Sequence, residues 1–320
     1  MAPFSEQVLL GDIGATNARF ALLENGAVGP VETIAVADHP HFTDAVAAFL
    51  SRHGSRDSTA GAVLAVAGPV DAERCALTNC SWVIDASELR STFGFATFHL
   101  LNDFEATAVA LPYLTTPDLY PLGGGPAAPN APMAVLGPGS GLGVACLVPG
   151  SSGAIVVATE GGHATLPATS PREEAIIGYL RRHFEHVSAE RAISGGGLEN
   201  LYRAIAAIDG IDVPERSAAE ITKCALDGTC PTSRAALDLF CALLGSVAGN
   251  VALTFGARGG VYIAGGIAPR ILDYLARSKF RARFEAKGRF RSYLEAIPAN
   301  VIVHPNATFL GLKALASAQI

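Results

Sequence analysis

The chain has 320 residues, half of them apolar and only 16% charged, with a formal net charge of −6. That length suits two medium domains with substantial cores, and the acidic balance, without a run of Lys or Arg, argues against nucleic-acid binding through phosphate neutralisation. The opening M-A-P-F-S-E-Q has no basic region of the signal-peptide kind, and no apolar run reads as membrane-spanning, so a soluble cytoplasmic protein with no membrane attachment is expected. The apolar surface that so few charges must leave suggests an oligomer. Six cysteines without a C-x-x-C pair read as reduced thiols. His183 and His186, three apart on a polar helix, read as solvated, and no structural zinc site is expected.

Gln7 to Leu10 is an apolar strand, followed by Gly11-Asp12-Ile13-Gly14-Ala15-Thr16-Asn17 and then by A-R-F-A-L-L-E-N-G, whose alternation and Asn25-Gly26 ending mark a second strand. Strand, Gly-rich turn, strand is the wrong context for a dinucleotide fingerprint or a P-loop, both of which need a helix after the turn. The turn offers backbone N–H groups, the Asp12 carboxylate and the small polar Thr16 and Asn17. It suits phosphate with a Mg²⁺ ion held at Asp12, and an ordinary hairpin equally. Phe42 to His53 is an amphipathic helix and Ala62 to Ala67 a buried strand. Leu77-Thr78-Asn79 with Trp82 forms a polar-tipped segment. Phe98 to Leu101 is a short strand ending in Asn102 and Asp103, after which Phe104, Ala108 and Leu111 share a helix face until Pro112. Asp103 fits an N-cap, and it also stands where open α/β sheets bind ligands, beyond the carboxyl ends of their strands.

Thr115 to Pro132 is the most Pro- and Gly-rich span and marks a domain boundary. Beyond it the pattern repeats: the strand Met133–Leu136, the turn Gly137-Pro138-Gly139-Ser140-Gly141-Leu142-Gly143, the strand Val144–Val148 and a third strand, Ala154 to Ala158. Two strand–turn–strand units about 125 residues apart suggest duplicated domains whose turns hold one polyphosphate from opposite sides. T-E-G-G-H then presents Glu160 and His163 across two glycines, as a surface turn or as an acceptor and donor for hydroxyl groups. Ser170-Pro171-Arg172-Glu173 reads as a capping box opening a helix to about His183. Ser188 caps a short turn carrying Glu190, Ser194 to Gly197 is a loop, and Leu198 to Ile208 is helical. Leu237 to Phe255 is a long buried helix. The strand Gly260–Ala264 leads to Gly265-Gly266 and to a helix with Pro269 at its first position, an arrangement that could admit an adenine ring. A strand at Val301–Val303 and a helix from Thr308 close the chain.

Taken together these residues resemble the bacterial glucokinases of the hexokinase–actin–Hsp70 superfamily. The resemblance spans nearly the whole chain and rests on eight motifs in the family's order: G-D-I-G-A-T-N-A-R, L-N-D-F-E-A, G-P-G-S-G-L-G-V-A, E-G-G-H, H-V-S-A-E-R, Y-R-A-I, I-A-G-G-I-A-P-R and K-G-R-F. It implies an α/β fold of the two-domain actin-like ATPase (ribonuclease H-like) type, with duplicated mixed sheets and an interdomain cleft. The small domain would be 1–112 with 301–320, the large one 113–300, and the protein a homodimer. It further implies ATP and Mg²⁺, with phosphate turns at Gly11 to Asn17 and at Gly139, Ser140 and Gly141, and adenosine bordering Gly265 and Gly266. Asn102, Asp103, Glu160, His163 and Glu190 would bind glucose, with Asp103 the base. Ala15 departs from the family's usual glycine, adding a Cβ to the first turn. The Cys-rich zinc motif of the repressor/kinase (ROK) group is replaced by A-T-L-P-A-T-S, which places the chain with the zinc-free members.

The expected reaction is phosphorylation of D-glucose at the 6-hydroxyl, the first step of glycolysis. A kinase for mannose, glucosamine or fructose would need only altered hydroxyl contacts, and a non-catalytic sugar sensor of the same fold is the reading from another class.

Overall fold

The computed structural model describes residues 7–53, 59–71, 73–77, 80–151 and 153–318. These form two compact units, one of 1–114 with 305–320 and the other of 115–304. Thr78 and Asn79, from the polar-tipped segment, lie outside the described residues.

The first unit is built on a mixed sheet. Its strands are β1 (Gln7–Ile13), β2 (Asn17–Glu24), β3 (Ala27–Val28), β4 (Glu32–Ala35) and β5 (Thr59–Val66), followed, after a separate antiparallel pair β6 (Arg74–Ala76) and β7 (Val83–Asp85), by β8 (Thr97–Asn102). The order is β3-β2-β1-β5-β8, with β4 also paired to β2; β1, β5 and β8 run parallel and β2 antiparallel. Because successive side chains in a strand point to opposite faces, β1 feeds two cores. Leu9 and Ile13 join Phe20, Leu64 and Val66 against helices α1 (Phe42–His53) and α2 (Ala86–Phe93), while Val8 and Leu10 join Val63 and Ala65 on the other face. Trp82, on the first of these faces, is buried with its indole N–H donated to the His39 carbonyl at 2.8 Å. Helix α3 (Asp103–Ala110) follows β8 directly and contributes Ala106 to the second face.

In the second unit the sheet order is β12-β11-β10-β13-β14-β9. The strands are β9 (Leu119–Gly123), β10 (Met133–Pro138), β11 (Leu142–Val148), β12 (Ile155–Thr159), β13 (Gly260–Ile263) and β14 (Ala299–Ile302). Again a hairpin (β10–β11) carries a third antiparallel strand outside it and parallel strands on its other side. The helices are α4 (Pro171–Leu180), α5 (Gly195–Asp209), α6 (Ala218–Leu226), α7 (Pro231–Phe255), α8 (Leu272–Arg277), α9 (Phe280–Glu285) and α10 (Arg291–Glu295). Helix α7 is long and apolar enough to cross a membrane, contrary to the reading that no such run exists, but 78% of its most apolar stretch is buried in the unit's core. Its glycines explain the close packing: a Cβ at Gly245 would stand 2.1 Å from the Phe280 carbonyl oxygen. The last helix, α11 (Ala307–Ser317), belongs to the first unit, where Gly311 lies so near α3 that a Cβ would be 1.9 Å from the Ala106 carbonyl oxygen.

Several expectations need correction. Residues 301–304 were assigned to the small domain, yet Val301 and Ile302 are integral to β14, paired with β13 and β9, so the boundary falls at Pro305; the other lies after Leu114 rather than Pro112. The Pro- and Gly-rich span contains a strand, β9, which tolerates Pro121 because it is at the sheet's edge. Ser194–Gly197 is not a loop: Ser194 caps α5, whose first turn is Gly195-Gly196-Gly197. Helix α4 ends at Leu180, so His183 and His186 do not share it, and the His183 ring packs on Tyr179 with centroids 4.9 Å apart. Ser170 does accept from the Glu173 amide, but the Glu173 carboxylate bonds Thr169 and ion-pairs with Arg283 instead of closing a reciprocal box.

Candidate functional site

In the first unit, three parallel strands end together. Ile13 and Asn102 both flank Val66 in register, which puts the ends of β1 and β8 about 10 Å apart across β5. The turn after β1 is closed by the Gly14 N–H donating to the Asn17 carbonyl at 3.0 Å. Ala15 adopts no positive φ, so its Cβ brings no backbone strain to this turn. Asp12 shares its face of β1 with Val8 and Leu10, the face on which α3 packs. Its carboxylate accepts from Arg19, directly opposite on β2, at 3.0 Å. Burial nonetheless pushes the Asp12 carboxyl above its ordinary range, the nearby guanidinium only partly offsetting the lost hydration.

Asn102, not Asp103, caps α3. Its side-chain oxygen accepts from the Phe104 N–H at 2.8 Å, its amide nitrogen donates to the Gly68 carbonyl at 3.2 Å, and Glu105 reaches back to the Asn102 N–H at 2.9 Å. Asp103 is thus the first residue of the helix, with Oδ1 accepting from the Phe104 N–H at 2.9 Å. At that position the N–H groups and dipole of the helix attract negative charge, such as that of a phosphate. Beneath it the Cys75 thiol is pushed up first by burial and then by the negative Asp103, so it stays neutral and acts as packing.

In the second unit the turn Gly139–Gly141 closes through the Gly139 N–H to the Gly141 carbonyl at 2.8 Å. Gly265 abuts it: with φ +83°, a Cβ there would stand 2.5 Å from the Pro138 carbonyl oxygen. A Cβ at Gly137 would likewise meet the Ala264 backbone at 2.5 Å. The two glycine turns are therefore packed backbone against backbone, with Gly265 and Gly266 exposed beside Gly139 and Ser140. Glu160 and His163 are exposed and 3.9 Å apart. Glu190 is joined to their segment by its N–H, which donates to the Gly162 carbonyl at 2.9 Å, and its carboxylate accepts from the Leu142 N–H at 2.9 Å.

Each unit thus gathers the residues that the sequence singled out within it. The first unites Gly11 to Asn17 with Asn102 and Asp103; the second unites Gly139 to Gly141 with Gly265, Gly266, Glu160, His163 and Glu190. Comparison with known proteins decides what they belong to. Residues 9–319 match the glucokinase family. A glucokinase of Paramagnetospirillum magneticum is 46% identical over 97% of the chain and 98% of its own length. One of Nitrobacter hamburgensis is 43% identical, with 96% of each chain covered. The crystal structure of a glucokinase from an Antarctic psychrotroph superposes with a TM-score of 0.88 at 36% identity, covering 98% of this chain and 99% of that one.

The chain belongs to the glucokinase family. Glucose phosphorylation is the activity that goes with membership, and the paired mixed sheets are those of the actin-like sugar kinases. Three participants that were not among the expected site residues emerge from the geometry. Arg19 was legible, because it stands as far after the centre of the first turn as Asp12 stands before it. Glu105 was legible as an acidic residue three after Asn102. Ser194, whose hydroxyl donates to the Glu190 carbonyl at 2.8 Å, was hidden by three following glycines that read as a loop. Among the described residues no group of three or more His, Cys, Asp or Glu gathers as a metal cluster.

Proposed function

We propose that the protein transfers the γ-phosphoryl group of ATP to the 6-hydroxyl of D-glucose, with Asp103 as general base. The observation that carries this reading is the division of labour at the start of α3: Asn102 takes the cap, and the adjacent Asp103 carboxylate is held at the end of a strand beside the Asp12 turn. The sugar oxygen attacks the γ-phosphorus, the bond to the β–γ bridging oxygen breaks, and ADP leaves. The hydroxyl proton passes to Asp103 late, once bonding to phosphorus has acidified the oxygen, because a carboxylate is a weak base for a free alcohol. Such help is worth roughly 10²–10⁴-fold, so alignment and charge neutralisation supply the larger share. Asn102, Glu160, His163 and Glu190 hold the remaining hydroxyls, and an analogue lacking one leaves a polar partner unmatched.

The Asp12 carboxylate, a hard oxygen donor whose burial is only partly offset by Arg19, suits Mg²⁺. Held there, in part through water, Mg²⁺ would supply charge neutralisation at the β- and γ-phosphates. The turns at Gly11–Asn17 and Gly139–Gly141 offer backbone N–H groups to phosphate, and Gly265-Gly266 leaves a path for the adenine ring. A cytoplasmic homodimer completes the reading: all six thiols are free, and the outer strand β12 exposes Ile155 and Val157.

A coupled ADP-release assay over glucose, mannose, glucosamine and fructose tests it. The largest kcat/KM should be for glucose, and Glu160→Ala should raise the KM for glucose far more than that for ATP. A larger kcat/KM for another hexose would reassign the substrate, and no turnover with any would leave a sugar sensor.

A further inference from the structure

Glu190 sits in a closed circuit of hydrogen bonds that a sugar ligand alone does not need. Its N–H donates to the Gly162 carbonyl, in the Glu160–His163 segment. Its carbonyl accepts from the buried Ser194 hydroxyl at 2.8 Å, which in turn accepts from the Gly197 N–H at 2.9 Å in the first turn of α5. The Gly195 N–H of the same turn donates to the Gly139 carbonyl at 2.9 Å. Glu190 Oε2 closes the circuit on the Leu142 N–H, just beyond Gly141. The fit is tight: a Cβ at Gly141 would lie 2.5 Å from Glu190 Oε2, so the third small position of the turn is a glycine because the carboxylate fills the space. A carboxylate has acceptor sites on both oxygens. With Oε2 given to Leu142, Oε1 remains for a hydroxyl.

We propose that Glu190 is a positioning residue for the nucleotide as well as a contact for the sugar: its carboxylate holds the Gly139–Gly141 turn in its binding shape. This rests on the kinase reading above for the identity of the two ligands. The turn itself supplies no charged side chain, and beyond its own Gly139–Gly141 hydrogen bond the permissive glycine backbone takes its shape from what holds its two ends. Glu190 anchors the end at Leu142, and α5, through Gly195, anchors the end at Gly139. A sugar hydroxyl bonded to Oε1 would restrict the same carboxylate that restrains the turn, so sugar and nucleotide should each tighten the other's binding by the same factor.

The test is titration of a non-hydrolysable ATP analogue with Mg²⁺ into the full chain by calorimetry, without sugar and then with saturating glucose. Glu190→Gln keeps an oxygen for the Leu142 N–H, whereas Glu190→Asp keeps the charge but retracts it by one methylene. Without sugar, Glu190→Asp and Glu190→Ala should bind the analogue about tenfold or more weakly than wild type, as expected for a lost hydrogen bond to a charged group. Glu190→Gln should stay within about threefold of wild type, as expected where the oxygen acceptor is retained. Equal sugar-free affinity in wild type, Glu190→Gln and Glu190→Asp would overturn the proposal and leave Glu190 a sugar contact only. If Glu190→Ala does not fold, the Gln and Asp pair decides. The result is separable from the kinase reading, which wild-type turnover of glucose tests independently.

Discussion

The two units use one plan with one difference at its centre. In each, a hairpin is flanked by parallel strands, and its first strand ends in a Gly-rich turn. Asp12-Ile13-Gly14 at the end of β1 occupies the place of Gly137-Pro138-Gly139 at the end of β10, since Ile13 and Pro138 are the last paired residues of their hairpins and the turns close from the Gly14 and Gly139 N–H groups. The first turn therefore carries its own carboxylate, balanced by Arg19 across the hairpin. The second has glycine at that place, Gly137, and obtains a carboxylate from Glu190, 48 residues beyond the Leu142 N–H that it accepts from. The first arrangement suits a cation and the charge it neutralises; the second suits a turn that touches phosphate through backbone alone. A repeated scaffold has been given two different electrostatic tasks by one position.

The comparison is broken most directly at Asp12. Asp12→Asn should lower kcat by about 10² or more, the scale of removing one charge-stabilising group, without lowering the melting temperature. The sign follows from the raised carboxyl: a group that holds its proton more tightly folded than unfolded favours the folded state at low pH, and that contribution is lost as pH rises through the folded value. Above the range where the unfolded carboxyl ionises, the buried Asp12 is thus a burden that Asn removes. A clear drop in melting temperature would contradict this.

The glycines should separate next. Gly137→Ala meets backbone at 2.5 Å, whereas Gly11→Ala meets the end of the Leu64 side chain at 2.6 Å. Overpacking against backbone should destabilise by about 1–3 kcal/mol, and a side chain that can turn aside should take up much of the strain. Denaturant unfolding that ranked them the other way would sink the argument. Gly139→Ala, with nothing within 4 Å of its Cβ, should leave stability within about 0.5 kcal/mol while raising the KM for ATP several-fold. The smallest effect is at Arg19, whose guanidinium draws the Asp12 carboxyl down against the larger effect of burial. Arg19→Ala should let it rise, moving the acid limb of the kcat/KM profile to higher pH.

Much of this was legible because it is local. Both hairpins announced themselves by alternation around glycines, and the strand–helix junction at Asn102-Asp103 by an apolar run meeting polar residues. What the sequence hid was tertiary. Nothing near Glu190 indicates that it reaches Leu142, and nothing near Glu173 indicates that Arg283, 110 residues on, would take the carboxylate that a capping box would have used. The three glycines after Ser194 read as breakers, yet the hydrogen bond from Gly195 to Gly139 and the cap from Ser194 make them the start of a helix. The strand β9 was obscured by its prolines, which an edge position accommodates. Asp103 as cap gives way to Asn102, whose extended backbone precedes the first helical residue and whose N–H the Glu105 carboxylate accepts, although both side chains accept from the Phe104 N–H.

That correction bears on the central claim, that Asp103 is the base. Rapid-quench measurement of glucose 6-phosphate formation in a single turnover, for wild type and Asp103→Asn at saturating ATP, tests it without interference from product release. Asn keeps the shape and the place at the head of α3 but cannot take a proton. The rate should fall by about 10²–10⁴-fold, with calorimetric glucose affinity changed by less than tenfold. A single-turnover rate within a few-fold of wild type would remove Asp103 from the chemistry.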